Sequence, residues 1–352
     1  MNHLKIYSKE KISLITRERQ NESKLGEHVK TIQHPSSIHQ ELTDSTAKFV
    51  LLGLPEDIGV RANYGRGGAH TAWQPALENI LNLQSNQFLK GEELLVLGHV
   101  DFNDLFEKAA GLHSKDTKDI EQLRKLVELV DERVSEVIKL IISCNKIPII
   151  IGGGHNNAYP NIDGAGSALL KTGKIKKQGI NVINCDPHTD FRPLEGRHSG
   201  NGFSYAFDKK ILNRYAVVGI HESYNTENVL EQFAKNKGAL SYTTYEDIFV
   251  RELFSFQQAI KQGIDCCKDN YCGIELDLDA ITNVPSSAKT SSGISPLQAR
   301  QYVYQCAREL KACYLHIAEG APVLAHIKAD NKTGKLIAYL VSDFIKGVKE
   351  KT

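Results

Sequence analysis

A chain of 352 residues, 41% hydrophobic and 24% charged, has ordinary globular composition and enough apolar material for a large buried core. Its formal net charge of +1 gives no reason to expect nucleic acid or a membrane surface as a partner. No stretch approaches the roughly 18 apolar residues that a membrane-spanning helix needs, and the first residues lack the continuous apolar run of a secretory leader, so none is expected. Residues 1–46 are polar and weakly patterned and read as an N-terminal extension, either packed on the core or partly mobile. Residues 47–352 repeat one grammar and read as a single domain: a short apolar run ends in Gly, Asp, Glu or His, and a helical stretch often follows. The runs are 49–54, 94–100, 147–151, 181–185, 215–220, 271–278 and 312–317, each the length of a buried strand and rich in Val, Ile and Leu. Helical periodicity is clearest over 120–143, where Leu123, Val127, Val130, Val134, Val137 and Ile141 share a face. It recurs over 296–310, opened by Ser295 as N-cap and Pro296 at the first turn, and near 337–348.

Strands alternating with helices imply βαβ units and a mostly parallel sheet, with helices on both faces. Such sheets bind ligands at the carboxyl ends of their strands, so the polar residues that close the apolar runs are where chemistry is to be sought. Seven cysteines, an odd count with no Cys-x-x-Cys spacing, are expected to be reduced, mostly buried thiols of a cytoplasmic protein.

Three strand ends carry metal-ligand residue types. Ile-Ile-Ile-Gly-Gly-Gly-His ends in His155, Asn-Cys-Asp-Pro-His-Thr-Asp supplies Asp186, His188 and Asp190, and Leu-Asp-Leu-Asp supplies Asp277 and Asp279. Alternate residues of an extended segment project from one face. A single histidine after a strand is ordinarily a hydrogen-bonding residue, and a single Asp-x-Asp is ordinary too; three such ends on one sheet edge are a different observation. Four carboxylates and two imidazoles are a hard O/N set suited to Mn2+ and similar ions. They are also too many for one ion, which points to a pair about 3.5–4 Å apart that lowers the pKa of a shared water.

The blocks GGGH, DPHTD and LDLD, with AEGAP near residue 319, resemble the motifs of the ureohydrolase superfamily of arginase, agmatinase and formimidoylglutamase. The resemblance covers roughly residues 48–345. It implies the three-layer α/β arginase-type fold and two Mn2+ held by His155, Asp186, His188, Asp190, Asp277 and Asp279. It also implies that Glu319 holds an amidinium or guanidinium, that Asp190 passes a proton to the leaving nitrogen, and that identical chains form a trimer or hexamer. The formimidoylglutamase branch is the closer match. Leu-Gly-Leu-Pro-Glu-Asp-Ile-Gly-Val-Arg-Ala-Asn-Tyr-Gly-Arg, with Arg61, Asn63 and Arg66, and His-Glu-Ser-Tyr-Asn, with Asn225, resemble its loops. Phe203 stands where arginase has its proton-shuttling histidine, and the aspartate with which arginase binds an amino group is missing from the 221–228 segment. Two features differ from that branch: Ser199-Gly200-Asn201 resembles arginase's substrate loop, and Asn156-Asn157 replaces the commoner acidic or small residues after the histidine.

The expected reaction is hydrolysis of N-formimidoyl-L-glutamate to L-glutamate and formamide, as in histidine breakdown. Arginine, giving ornithine and urea, or another guanidino compound is the alternative. A catalytically silent regulatory member is the remaining class, against which the complete ligand set argues. Arg61, Arg66, Arg192 and Arg197 lie in strand-end loops where they could bind the two carboxylates of a dicarboxylic substrate; Arg192, two residues after Asp190, is the favoured one. His198 and His316 are candidate proton carriers for which a structural role is the expectation.

Overall fold

The β-branched and leucine-rich runs pair into one sheet because each can be covered on both faces. A computed structural model describes residues 3–325 and 332–351. In it β1 (Leu4–Ile6), β2 (Phe49–Gly53), β3 (Leu94–Val100), β4 (Ile147–Ile151), β5 (Ile180–Cys185), β6 (Leu212–Ile220), β7 (Leu240–Thr244), β8 (Tyr271–Asp277) and β9 (Lys311–Ala318) lie in the order β1-β3-β2-β4-β9-β8-β5-β6-β7. Every neighbouring pair is parallel except β1 with β3. Strand β9, the last in the chain, lies in the middle: β4 pairs with one of its sides and β8 with the other.

All seven predicted runs are strands. The two that periodicity did not mark, β1 and β7, are the two edges of the sheet. Edge strands keep part of their surface exposed, as the burial of Leu-Ser-Tyr-Thr-Thr in β7 shows, so neither is a continuous apolar run.

Alternate residues of each strand feed two separate cores. Phe49 and Leu51 of β2 join a cluster with Trp73, Ile260, Val303 and Phe344, while Val50 and Leu52 join one with Val127, Val134, Ile162 and Phe203. Helices Trp73–Leu81, Phe256–Cys267, Pro296–Glu309 and Lys332–Glu350 cover the first face; Thr117–Ser143, Ala158–Lys171 and Gly202–Asp208 cover the second. The result is three layers. Asp116 caps the Thr117–Ser143 helix by accepting from the Lys118 and Asp119 amides. Ser295 forms a capping box with Gln298 in front of Pro296, as the sequence predicts. The segment before residue 47 is packed: Ile12 and Leu25 enter one core, Ile32 and Leu42 the other. None of the seven cysteines is in a disulfide, and all but the half-buried Cys266 are buried. Among the described residues no helix is long and apolar enough to cross a membrane.

Candidate active site

Four adjacent strands, β4, β9, β8 and β5, bring His155, Glu319, Asp277 and Asp186 to one edge of the sheet. After β4 the chain turns through Gly152 (φ +89°) and Gly153 (φ +77°), a left-handed pair that L side chains disfavour. The turn delivers His155 at the start of a short 3-10 helix, His155–Asn157, fully buried. Its backbone N–H donates to Glu319 Oε1 at 2.8 Å. Its ring Nδ1 lies 3.1 Å from each of three carboxylate oxygens, Oδ2 of Asp186, Asp190 and Asp277. The carboxylates are themselves fixed: Asp186 accepts from the His188 amide at 2.7 Å and from Asn184 Nδ2 at 3.0 Å, and Asp277 from the Asp279 amide at 2.6 Å. His188 Nδ1 is 3.4 Å from the far oxygen of Asp186.

Burial and mutual repulsion push the carboxyl of Asp190 above its ordinary range, those of Glu319 and Asp277 far above it, and Asp279 up to about 6. Burial acts the same way on Asp186, but His155 and His188 overcome it and hold Asp186 below its ordinary range. One N–H on Nδ1 can satisfy one acceptor, yet three converge on it. Asp279 Oδ1 and His155 Nε2 are buried with no hydrogen-bond partner. This donor set calls for a multivalent cation, not a proton. The atoms offered by His155, Asp186, Asp190 and Asp277 all lie within 4.8 Å of one another, the spacing of a common ligand shell. His188 and Asp279 line the cavity beside them, so the residues present fit a pair of divalent ions: His155, Asp186, Asp190 and Asp277 would hold one, with His188 and Asp279 placed to help hold the other.

That cavity, about 390 Å3, holds Asn63, Arg192, Ser199, Asn225 and Glu319 in its lining together with His188, Asp190, Asp277 and Asp279. Asn63 Nδ2 donates to Ser199 Oγ at 3.2 Å and Arg192 Nη1 to Asn63 Oδ1 at 3.1 Å, while Ser287 Oγ donates to Glu319 Oε2 at 3.3 Å. Asn225 touches the cavity but its amide is committed. Oδ1 accepts from the Thr189 amide, and Nδ2 donates to the carbonyls of Pro187 and His221, so it holds the 186–190 loop in place.

Three expected substrate contacts lie elsewhere. Arg61 donates through Nη2 to the carbonyls of Ala109 and Leu112, at 2.7 and 3.0 Å, drawn by acceptors at the C-terminus of the Asn103–Ala109 helix. Arg66 is exposed and outside the cavity lining. Asn201 is buried and bound to Arg197 Nη1 and the His198 amide. Arg197 is itself buried, paired with Asp131 at 2.8 Å and donating to the Asn156 carbonyl. Of the four arginines considered, Arg192 alone faces the cavity.

His198 is structural. Burial first, then Arg124, Arg192 and Arg197, lower its pKa to about 3, and its Nδ1 accepts from the Gly200 amide at 3.1 Å. His316 is enclosed between Glu275, 2.6 Å from Nδ1, and the Gly152 carbonyl, 3.2 Å from Nε2. Phe203 packs edge-on against the His155 ring at 5.3 Å and is fully buried.

Sequence reasoning missed Glu275, although it continues the Asp277/Asp279 alternation backwards along β8. Its Oε2 lies 3.5 Å from His155 Nε2, too long for a hydrogen bond as it stands. It also missed Tyr224, whose ring stacks on His188 at 5.5 Å and 20°, and Glu56, buried behind the His155 turn.

The model of the Arginase family matches residues 47–346. A formimidoylglutamase of Streptococcus gordonii is 27% identical over 300 residues, covering 83% of this chain and 82% of that one. Among solved structures, the formimidoylglutamase of Bacillus subtilis shares the fold with a TM-score of 0.69 at 18% identity, covering 95% of this chain and 94% of its own. The formiminoglutamase of Trypanosoma cruzi, solved with Mn2+, does so with a TM-score of 0.66 at 17% identity, covering 93% and 98%.

Proposed function

The chain belongs to the Arginase family, and from that premise we propose that it hydrolyses a linear amidine, N-formimidoyl-L-glutamate, to L-glutamate and formamide. Metal-dependent hydrolysis of an amidino C–N bond is the chemistry of the family. One observation carries the assignment to this site: three aspartates, Asp186 and Asp277 buried and Asp190 half-buried, converge on Nδ1 of His155, and Glu319 stands on the neighbouring strand end. Bound there, two divalent ions supply the Lewis acidity that makes water a nucleophile at neutral pH. The protein's own residues do the rest. Glu319, buried and oriented by the His155 amide and Ser287, pairs with the planar amidinium and turns its carbon toward the acid cluster. Asp190, which lines the cavity, passes a proton to the leaving nitrogen. Arg192, bridged to Asn63 and Ser199, receives a substrate carboxylate.

Manganese as the ion, a homo-oligomeric assembly and a cytoplasmic location belong to the same proposal. Manganese is supported by the hard O/N donor set and the Mn2+ of the Trypanosoma cruzi structure, the location by the seven unpaired cysteines, and the assembly by analogy alone. A second reading, release of urea from arginine or another guanidino acid, is favoured by one specific observation: among the described residues a single guanidinium faces the cavity, enough for one carboxylate but not for two. The deciding experiment is a side-by-side assay of formamide and urea release from Mn2+-loaded enzyme. Formimidoylglutamate is expected to be cleaved with the higher kcat/KM; dominant urea release from arginine overturns the substrate and leaves the site standing.

A further inference from the structure

The two glycines that turn the chain after β4 give His155 freedom as well as reach, because a Gly-Gly segment has many accessible conformations. Something outside the turn must fix it. Glu319 takes the His155 N–H from one side. From the other, the carboxylate of Glu56, wholly buried just after β2, takes the groups on either side of that histidine. Its Oε1 accepts from the Gly154 amide at 3.0 Å, Asn156 Nδ2 at 3.2 Å and Asn157 Nδ2 at 2.5 Å. Its Oε2 accepts from the Ile58 amide at 2.8 Å, which fixes the carboxylate to its own loop.

A buried carboxylate is tolerable only when donors surround it. The Asn156-Asn157 pair supplies two of them, and the Oδ1 atoms of both asparagines have no partner. These asparagines therefore serve Glu56, a residue about a hundred positions earlier in the Leu-Gly-Leu-Pro-Glu-Asp block, to which the sequence assigned no role.

We propose that Glu56 is a positioning residue. It holds the 154–157 turn through Gly154, Asn156 and Asn157 so that Nδ1 of His155 stays aimed at the aspartates, and one of the two metal sites depends on it. This rests on the metal reading above. The ion held by His155 with Asp186, Asp190 and Asp277 depends on Glu56; the one framed by His188 and Asp279 does not.

The test is a Mn2+ titration of the metal-free full-length chain by calorimetry, with electron paramagnetic resonance of the loaded chain. The variants are Glu56→Gln and the double variant Glu56→Gln/Asn157→Asp. Glutamine keeps the shape but removes the charge that gathers these donors, whereas aspartate at 157 returns a carboxylate to the same contact, at the cost of the hydrogen bond from Asn157 Nδ2 to the Gly154 carbonyl. We expect Glu56→Gln to weaken one of two binding steps by tenfold or more, in the range seen when partners of metal ligands are removed. The other step should stay within about twofold and the signal of the coupled ion pair should be lost. The double variant should recover most of both. Two unchanged steps in Glu56→Gln, or two equally weakened steps with no recovery in the double variant, overturn the proposal. If Glu56→Gln yields no folded chain, Asn157→Ala, which leaves Glu56 its other three donors, is judged by the same two criteria. A wild-type chain that fails to bind two ions overturns the metal reading, and this proposal with it.

Discussion

Asp190 and Glu319 both sit in left-handed backbone, at φ 45° and 64°, a region that costs a non-glycine residue about 1 kcal/mol or more and persists where the surroundings impose it. Both also stand among like charges, Glu319 buried and Asp190 half-buried. Removing either charge relieves the fold while removing a group the reaction needs. Asp190→Asn is therefore expected to abolish turnover with no loss of melting temperature in the metal-free chain. Glu319→Gln is expected to lower kcat/KM by about a hundredfold, the effect of losing a charge-assisted contact in a dry pocket. Steady-state kinetics beside thermal melts check both, and wild-type rates in either variant remove that residue from the mechanism. His198 gives a pH prediction. Its folded pKa of about 3 is below the unfolded value near 6.5, so the unfolded state takes up the proton first. The stability tied to a neutral His198 is complete above pH ~6.5 and falls as pH drops toward 3, by at most about 1.4 kcal/mol per unit. His198→Gln should flatten the decline of Tm between pH 7 and pH 5; an identical decline in variant and wild type refutes this. The metal-ligand candidates were legible in the sequence because Asp-x-His-x-Asp and Asp-x-Asp close strand runs, and local spacing decides which way such side chains face. Arg61 and Asn201 were misread because a guanidinium or amide goes to whatever acceptors the fold presents. Here those are the carbonyls of Ala109 and Leu112 for one, and Arg197 with the His198 amide for the other, and spacing does not reveal them.

Strands buried on both faces announced themselves as apolar runs, and edges β1 and β7 did not. The Ala158–Lys171 helix stayed hidden for a related reason. It carries Pro160, Gly164 and Gly166, and most of its surface is buried, so it has no polar face to set off an apolar stripe. It packs closely on the Thr117–Ser143 helix: a Cβ at Gly164 would lie 2.7 Å from the Ser135 carbonyl oxygen and 2.9 Å from Ile138 Cβ. Two effects compete at that position. Alanine is the better helix former by about 1 kcal/mol, but a forced shift of a helix backbone costs about 1–3 kcal/mol. The obstacle is main-chain oxygen, which cannot rotate aside, so the packing cost wins. Gly164→Ala should lower stability by roughly 1 kcal/mol in urea unfolding, on the same magnitudes; an increase would mean the two helices separate easily.

The order of strands across the sheet was not readable from their order along the chain, since the site's four strands β4, β9, β8 and β5 are joined by pairings between distant segments. Two half-sheets, β1-β3-β2-β4 and β8-β5-β6-β7, meet only through β9. During synthesis this makes the chain unfinished until nearly its last strand. With residues 1–310 translated, both β4 and β8 present open edges at what will become the centre of the molecule, bordered by Ile149, Ile150, Ile274 and Leu276, which is the kind of surface that recruits strands from other chains. A chain stopped after Leu310 is expected to be largely insoluble and to bind no Mn2+, as soluble fraction and metal content would show; a soluble, metal-binding 1–310 fragment would mean that the halves close on each other without β9. Newly made copies thus carry a window of vulnerability whose length is set by translation of the final segment. Any pause before β9 emerges and pairs would widen that window, so the expression yield of this protein should respond to translation speed over its final segment.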